Sequence, residues 1–524
     1  MSWRSTRATD SGGHGNRQVA VIDLGSNSWR LVVFTYGERP DMWWKLTDEL
    51  YETVRIGAGL GATGRLSDEA TERGLETLGV FARFCRANHL AADDVHVVAT
   101  SAIRDAENGA QFLADAERLT GLRIETLPAA EEARFGYVAA VNTTTLTDGV
   151  VLDIGGGSLQ LIQVKDRLAQ EMVSFPLGAV RLTEQFLPGD GTPKKKECAR
   201  LRAHVTDALS DLPWLGTSGP RLVGVGGAVR NLASAAQAAQ SSFDLGVQGF
   251  VITPKVLSGL VSELAGLPVA QRGEVSGIKP GRGDIILAAA VVLDIVVELG
   301  GFDGIEATEA GLREGVFLAN TLLAGEPQPL FADVRDAAVR NLAVQYESDM
   351  THVEHVAKLS LQMFDSLVET QVFTPADGER ELLWAASMLH DVGMTISYDD
   401  HHKHSRYLVE TAGLPGFDPR ERGLIAQMTR YHRKGVPKLG DIEALTGKGD
   451  DELLDRCAVI LRLAEHLERG RDQSVSDVRL GTNGDGVGLH LKAAGDLTLP
   501  RWSVERYGDD EAFARVFDRR LLID

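Results

Sequence analysis

The sequence predicts an α/β chain of two similar lobes around a cleft, followed by an all-helical domain and a small α/β unit at the C-terminus. Three observations carry this. VAVIDLGSNSWRLVVF (19–34) and GVVLDIGGGSLQLIQV (149–164) place Asp, Gly, Ser and Leu at the same offsets, so one structural unit occurs twice. Past residue 330 the pattern turns helical, and nine of the 13 histidines lie beyond residue 350. After about residue 473, strand-like runs return between Gly/Asp turns.

A chain of 524 residues divides into several domains. The first 17 residues are polar and Gly/Ser-rich without an apolar core, so they read as a disordered tail and not a signal peptide. The first lobe spans 18–145, with strands near 19–36 and 95–100 and helical runs at 67–88 and 130–140. The second spans 146–325. Its longest apolar stretch, IILAAAVVLDIVVEL (285–299), is short for a membrane span and holds Asp294, so a buried helix is expected. AGEPQPLFADV (324–334) carries two prolines and marks a boundary. The helical domain follows over 330–472, then the terminal unit over 473–524.

Hydrophobic residues make up 44% of the chain, enough for real cores. Three cysteines, at 85, 198 and 457, stand far apart and in no metal-ligand spacing. A reducing compartment, the cytoplasm, is the expectation. The net charge of −20 argues against nucleic-acid binding. A polyanionic substrate then needs local cations. Lys194, Lys195 and Lys196 offer such a patch, although a charge run is more often a solvated loop or helix start.

The chemistry concentrates at the repeated turns. In VVLDIGGGSLQLI (150–162) an apolar strand ends at Asp153, then Gly155, Gly156 and Gly157 precede Ser158 and a second strand. Glycine backbone turns tightly, and consecutive N–H groups form a concave anion site. A carboxylate at such a mouth is unfavourable unless the anion shares a cation with it, and Mg²⁺ is the usual one. The first copy presents Asp23, Gly25, Ser26, Asn27 and Ser28. A third glycine turn, LVGVGGAVRNLA (222–233), carries Gly226 and Gly227. No GxxxxGK[ST] P-loop is present. The first two loops lead into strands and read as hairpin tips. VVATSAIRDAENG (97–109) ends a strand and presents Arg104, a residue suited to bidentate phosphate binding. LPAAEEARFGYVAAV (127–141) puts Glu131 and Glu132 in a first helical turn. They serve there as macrodipole partners or as a general base toward water, and residue type alone does not choose.

DLGSNSWRL, ATSAIRDAENG, EEARFGY, LDIGGGS, VGVGGAVRNLA and EATEAGLREGV (306–316) occur in that order. Together they resemble the exopolyphosphatase / guanosine pentaphosphate phosphohydrolase family, built on the actin-like (ribonuclease-H-like) fold. The resemblance implies hydrolysis of a terminal phosphate with Mg²⁺ or Mn²⁺. It makes Glu132 the catalytic carboxylate and has Asp153, with Asp23, hold the metal. Backbone N–H groups at 25–28, 155–158 and 226–228 then cradle phosphoryl oxygens, and Arg104 neutralises them, since phosphoryl transfer rests on positioning and charge neutralisation. Two departures stand out. The family reads GGGSTEL where this chain reads GGGSLQL, so a neutral Gln160, able to orient water, replaces a carboxylate. The third loop reads GGAV instead of GGT, losing a hydroxyl at Ala228.

The expected activity is exopolyphosphatase, with orthophosphate leaving the ends of inorganic polyphosphate. The alternative is 5′-phosphate removal from guanosine pentaphosphate, and a non-catalytic polyphosphate or alarmone sensor is an alternative of another class. A sugar-kinase-like ATPase is a fourth reading, against which the glutamate motif argues. No membrane partner is expected, and the resemblance implies a homodimer.

A second cluster lies in the helical domain. His352 sits on an amphipathic helix, LLWAASMLHDVGMTI (382–396) ends in His390-Asp391, DDHHKHSRYLVE adds His401, His402 and His404, MTRYHRKGVPK adds His432, and VILRLAEHLERGRD carries Glu465. Imidazoles and carboxylates projecting into a helical bundle can bind a divalent metal. The order resembles the HD domain of metal-dependent phosphohydrolases, which implies a second divalent metal at His352, His390, Asp391 and a late Asp. Here that last position is Glu465, and a structural or chain-binding role is the expectation.

Overall fold

The structure, a computed structural model, describes residues 16–39, 42–240, 245–484, 486–508 and 510–523. The expected disordered tail lies, up to residue 15, outside the described residues, and Arg17 already opens β1 (Arg17–Leu24). The chain forms two compact units. One runs to Leu127 and takes in Val316–Pro327; the other comprises Pro128–Gly315 and the chain from Gln328 onward. The division between these compact units falls at 127/128. The helix Ala129–Val141 packs on the strands of the second sheet, which draws it into the second unit.

In the first unit β1, β2 (Trp29–Gly37) and β3 (Trp43–Glu52) form an antiparallel meander. β4 (Val95–Ala99) and β5 (Ile124–Thr126) add in parallel, giving the order β3-β2-β1-β4-β5. The continuous apolar run of β1 fits this inner position: residues 19–22 are all buried, as strands covered on both faces require. Ser67 caps the helix Asp68–Ala87 by accepting the Ala70 N–H. Gly74 in that helix gives Trp29 its place, since a Cβ there would stand 2.7 Å from the indole.

The second unit repeats the plan. β6 (Gly149–Ile154), β7 (Leu159–Lys165) and β8 (Leu168–Phe175) form the meander. β9 (Leu222–Val225) and β11 (Ile305–Ala307) follow in parallel, and β10 (Val251–Ile252) closes the edge. The order β8-β7-β6-β9-β11 mirrors β3-β2-β1-β4-β5, so the sequence repeat is a repeat of topology and both sheets are ribonuclease-H-like. The apolar stretch near 285–299 is the buried helix Ile286–Gly300. Its Asp294 is paired with Arg202 at 2.6 Å, as a carboxylate on such a helix must be. Among the described residues no helix is long and apolar enough to cross a membrane.

The helical part of this unit holds Val334–Gln345, Met350–Glu369, Glu379–Leu389, His401–Thr411, Pro419–Tyr431 and Asp450–Leu467. Asp349 caps the second of these at the His352 N–H, and Asp418 with Glu421 forms a capping box on the fifth. β12 (Val475–Asn483), β13 (Gly486–Ala493) and β14 (Arg520–Ile523) form a terminal sheet. This terminal segment is not a separate body. Its Val475, Leu480, Val487 and Phe513 are buried in the same core as Leu359, Met363 and Leu463. The helical part also bonds to the lobe before it, through Gly416 N–H to Thr143 O (3.0 Å) and Arg422 to Leu245 O.

Candidate active site

The site in the second unit grows from the β6–β7 hairpin. The register sets Asp153 opposite Gln160, which places both side chains on one face of the sheet. The helix Ala129–Val141 covers that face, and its first turn carries Glu132. Gly136 lies one turn further along the same helix face. A Cβ there would stand 3.3 Å from Asp153 Oδ2, so the bare backbone lets the carboxylate approach the helix. Glu132 and Asp153 therefore serve one face.

A hydroxyl links the remaining parts. Gln160 Nε2 donates to Ser158 Oγ at 2.9 Å, and Ser158 Oγ donates to Glu132 Oε1 at 3.5 Å. Gln160 is 1% exposed, so its amide holds Ser158 and reaches Glu132 one group removed.

The glycine loop is fixed from behind. Gly155 O accepts the Ala179 N–H, and Gly156 O accepts those of Val180 and Arg181, all from the first turn of the helix Ala179–Phe186. Gly155 N–H closes the turn onto Ser158 O at 3.0 Å, which removes it from the expected phosphate donors. The amides of Gly156, Gly157 and Ser158 are the loop's candidates. Gly226 takes φ +101°, where an L side chain is strained, and a Cβ there would stand 3.0 Å from Asp153 Oδ1. The third loop thus packs against Asp153. Gly227 begins the helix Gly227–Gln240, whose N-terminus favours anions. A Cβ on Gly227 would overlap the Arg282 guanidinium. Sequence reasoning missed this arginine; the signal was its setting between glycines in KPGRGD (279–284).

The first unit carries the other predicted residues. Asp23 stands opposite Arg30 across β1–β2, the position that Gln160 holds in the second hairpin. Arg30 bonds Glu49 at 2.7 Å. Ser26 is buried and its Oγ lies 3.1 Å from Ser101 Oγ, so its hydroxyl braces the helix Ser101–Asp105. Gly25 makes the turn, since a Cβ would come within 2.9 Å of Ser28 O. Asn27 is buried and its Nδ2 lacks a hydrogen-bond partner. Arg104 donates from Nη1 to Leu127 O (2.9 Å) and from Nε to Asp105 (3.2 Å). The lysines 194–196 are exposed at the start of the helix Lys195–Leu209, the solvated-start reading.

The histidine cluster is assembled as well. Glu465 Oε2 lies 3.2 Å from His352 Nε2 and 3.3 Å from His390 Nε2, so the longer glutamate reaches the position expected of an aspartate. Asp391 lies 3.7 Å from His390 and 3.8 Å from His352. His401 and His432 join at 3.3 and 4.0 Å from Asp391 Oδ1. Burial opposes charge on His390, but Asp391 and Glu465 outweigh it and raise the imidazole to about 9. His432 is pushed down to about 3 by burial and by His390.

The Ppx/GppA phosphatase family model matches residues 44–324, and the model for domain III of these phosphatases matches 334–498. A guanosine-5′-triphosphate,3′-diphosphate pyrophosphatase of Vibrio vulnificus is 28% identical over 481 residues, covering 90% of this chain and 92% of that protein. The protein of the same description from Aliivibrio fischeri is 28% identical over 508 residues, covering 93% and 95%. Among solved structures, an exopolyphosphatase-like protein aligns at 28% identity and a TM-score of 0.52, over 57% of this chain and 96% of its own. An exopolyphosphatase from Cytophaga hutchinsonii shares the fold at 22% identity and a TM-score of 0.52, over 57% and 96%. With both family models matched in order, and a buried glutamate beside an aspartate and glycine loops, the chain belongs to the Ppx/GppA phosphatase family of phosphoanhydride hydrolases.

Proposed function

We propose that the chain removes the terminal 5′-phosphate of guanosine pentaphosphate. Water attacks the γ-phosphorus, the bond to the bridging β–γ oxygen breaks, and guanosine tetraphosphate and orthophosphate leave. The observation that carries hydrolysis is the chain Gln160–Ser158–Glu132 beside Asp153. Glu132 accepts the water's proton, and Ser158 holds its carboxylate in place. The amides of Gly156, Gly157 and Ser158, with the helix N-terminus at Gly227 and Arg282, bind phosphoryl oxygens. Asp153 and Glu132 offer the hard anionic oxygens that Mg²⁺ takes together with substrate phosphates. When bound there, the ion neutralises phosphate charge.

The guanosine substrate is favoured over polyphosphate by relatives of that description, which align over nine-tenths of the chain, helical part included. The second reading, exopolyphosphatase, is supported by structures that align with 57% of the chain. Phosphate release from guanosine pentaphosphate and from long polyphosphate, each with and without Mg²⁺, tests the choice. A higher kcat/KM on guanosine pentaphosphate is expected. Turnover of polyphosphate alone overturns the proposal in favour of the second reading, and Glu132→Gln must silence whichever activity is found.

A further inference from the structure

We infer that Asn231 is a positioning residue for phosphate binding: it ties the segment that carries Arg282 to the third glycine loop. The inference rests on the reading of Arg282 and the helix start at Gly227 as phosphoryl-binding groups.

The segment from Gly277 to Arg282 lies along the helix Gly227–Gln240. A Cβ on Gly277 would overlap the backbone of Ser234 and Ala235, and the Lys279 N–H donates to Asn231 Oδ1 at 2.7 Å. A Cβ on Gly227 would overlap the Arg282 guanidinium. The three meeting points on the helix, Ala235, Asn231 and Gly227, are four residues apart and so share one face. The segment thus runs back toward the helix N-terminus, and Asn231 holds its middle.

The Asn231 amide is bonded at both ends. Its Nδ2 donates to Gly227 O at 2.7 Å while its Oδ1 accepts from Lys279. A carbonyl only accepts and a backbone N–H only donates, so the two partners fix which way the amide points. Lys279 O in turn accepts the Arg282 N–H at 2.9 Å, within the short turn Pro280–Arg282. Three hydrogen bonds therefore lead from the glycine loop to the backbone of Arg282. Asn231 is 5% exposed, and asparagine is a poor helix former. A carboxylate at 231 cannot donate to Gly227 O, and an aliphatic side chain makes neither bond.

Chain length shows why a middle tether matters. Eight residues of helix rise about 12 Å, whereas the five steps from Gly277 to Arg282 extend to about 17 Å. Held at its ends alone, the segment has length to spare, and the Asn231 amide takes it up. The base of the excursion is closed by other contacts. Arg272 is buried, its Nε donates to Leu264 O (3.0 Å) and Leu267 O (3.2 Å), and a Cβ on Gly283 would stand 2.6 Å from Gly273 N. Losing Asn231 then loosens the tip that carries Arg282 and leaves the base in place.

The test combines kinetics with amide exchange on the full-length protein. Asn231→Ala should raise KM for the substrate turned over, guanosine pentaphosphate or polyphosphate, about fivefold, with kcat changed less than about twofold. In an Arg282→Ala background it should add nothing, because its effect passes through that guanidinium. Hydrogen exchange at Lys279 should be faster in Asn231→Ala and unchanged in Arg282→Ala. Lys279→Pro removes the same hydrogen bond from the other side, at a residue whose φ is already −67°. It should raise KM beyond Lys279→Ala, the control for the lost ammonium, and it serves where Asn231→Ala does not fold. Losses that multiply in the double mutant, or unchanged exchange at Lys279 in folded Asn231→Ala, overturn the inference and leave the phosphoryl-binding reading standing. An Arg282→Ala protein with wild-type KM overturns that reading, and the role of Asn231 with it.

Discussion

Gln160→Glu replaces an amide NH₂ with a carboxylate oxygen at the point where the Glu132 chain is anchored. In the native protein Gln160 donates to Ser158, which frees the serine proton for Glu132. A carboxylate at 160 only accepts, so it draws that proton away and leaves Glu132 without its serine donor. The lost bond is charge-assisted but long, at 3.5 Å, so the low end of the usual range applies, about 1.5 kcal/mol. If the loss falls on the transition state, turnover drops about tenfold. The new carboxylate also stands opposite Asp153, where cross-strand Cβ atoms lie about 4.5–5.5 Å apart, and adds attraction for a cation. The expected signature is a split: kcat falls while the Mg²⁺ midpoint also falls. Phosphate release from guanosine pentaphosphate at saturating substrate, titrated with Mg²⁺, reads both. The decisive comparison is a double-mutant cycle with Ser158→Ala. If Gln160 acts through Ser158, Gln160→Glu has no further effect on kcat in the Ser158→Ala protein. Losses that multiply, or an unchanged kcat, would refute the relay.

Glu132→Gln should reduce kcat at least 100-fold with KM little changed, as steady-state kinetics can show. Arg282→Ala should raise KM for phosphorylated substrate about tenfold with a smaller effect on kcat, because it removes a cation beside the anion-favouring helix start. Gly226→Ala should lower stability by about 1–2 kcal/mol in urea unfolding and weaken Mg²⁺ dependence, since φ is +101° and the new methyl presses on Asp153. His466, bonded to Ser503 at 3.1 Å, is pushed down to about 4, chiefly by burial. Below pH 6.5 the unfolded chain binds a proton that the folded one does not, so stability falls as pH drops from 6.5 toward 4. About 2 kcal/mol of the stability lost between pH 7 and pH 5 should come from His466, and His466→Gln should shrink the loss by that amount in urea midpoints at the two pH values, leaving the share of the buried His432.

The repeat of Asp, Gly, Ser and Leu was enough to find both hairpins, because a four-residue tip between two strands leaves a fixed spacing. The Glu132 helix was legible from its acidic first turn and the apolar face behind it. Three things were not. The partner of Gln160 is set by strand register, and nothing in GGGSLQL says whether the amide meets water or a hydroxyl. Arg282 reaches the third loop across 55 residues of chain, a contact that no local pattern encodes. Glu465 looked like a lost ligand because residue type was weighed without position. The helix places it so that the extra methylene brings its oxygen to His352 and His390. The boundary between the compact units was also not legible locally. The helix Ala129–Val141 follows the first lobe in sequence but finds its apolar partners on the second sheet.

The backing of the glycine loop by the helix Ala179–Phe186 has a consequence for how the enzyme is throttled. Because the carbonyls of Gly155 and Gly156 are already consumed by that helix, the loop keeps its shape before any substrate arrives. A receptor set in advance spends little binding energy on ordering itself. By the same token it cannot distinguish a terminal phosphoryl group from free orthophosphate by closing around one and not the other. On the proposed reading, discrimination then falls to whatever lies beyond the last phosphorus, and the released product is expected to compete for the same amides. If those amides hold the terminal phosphoryl group, added orthophosphate should slow turnover competitively, which a series of initial rates against phosphate concentration would show.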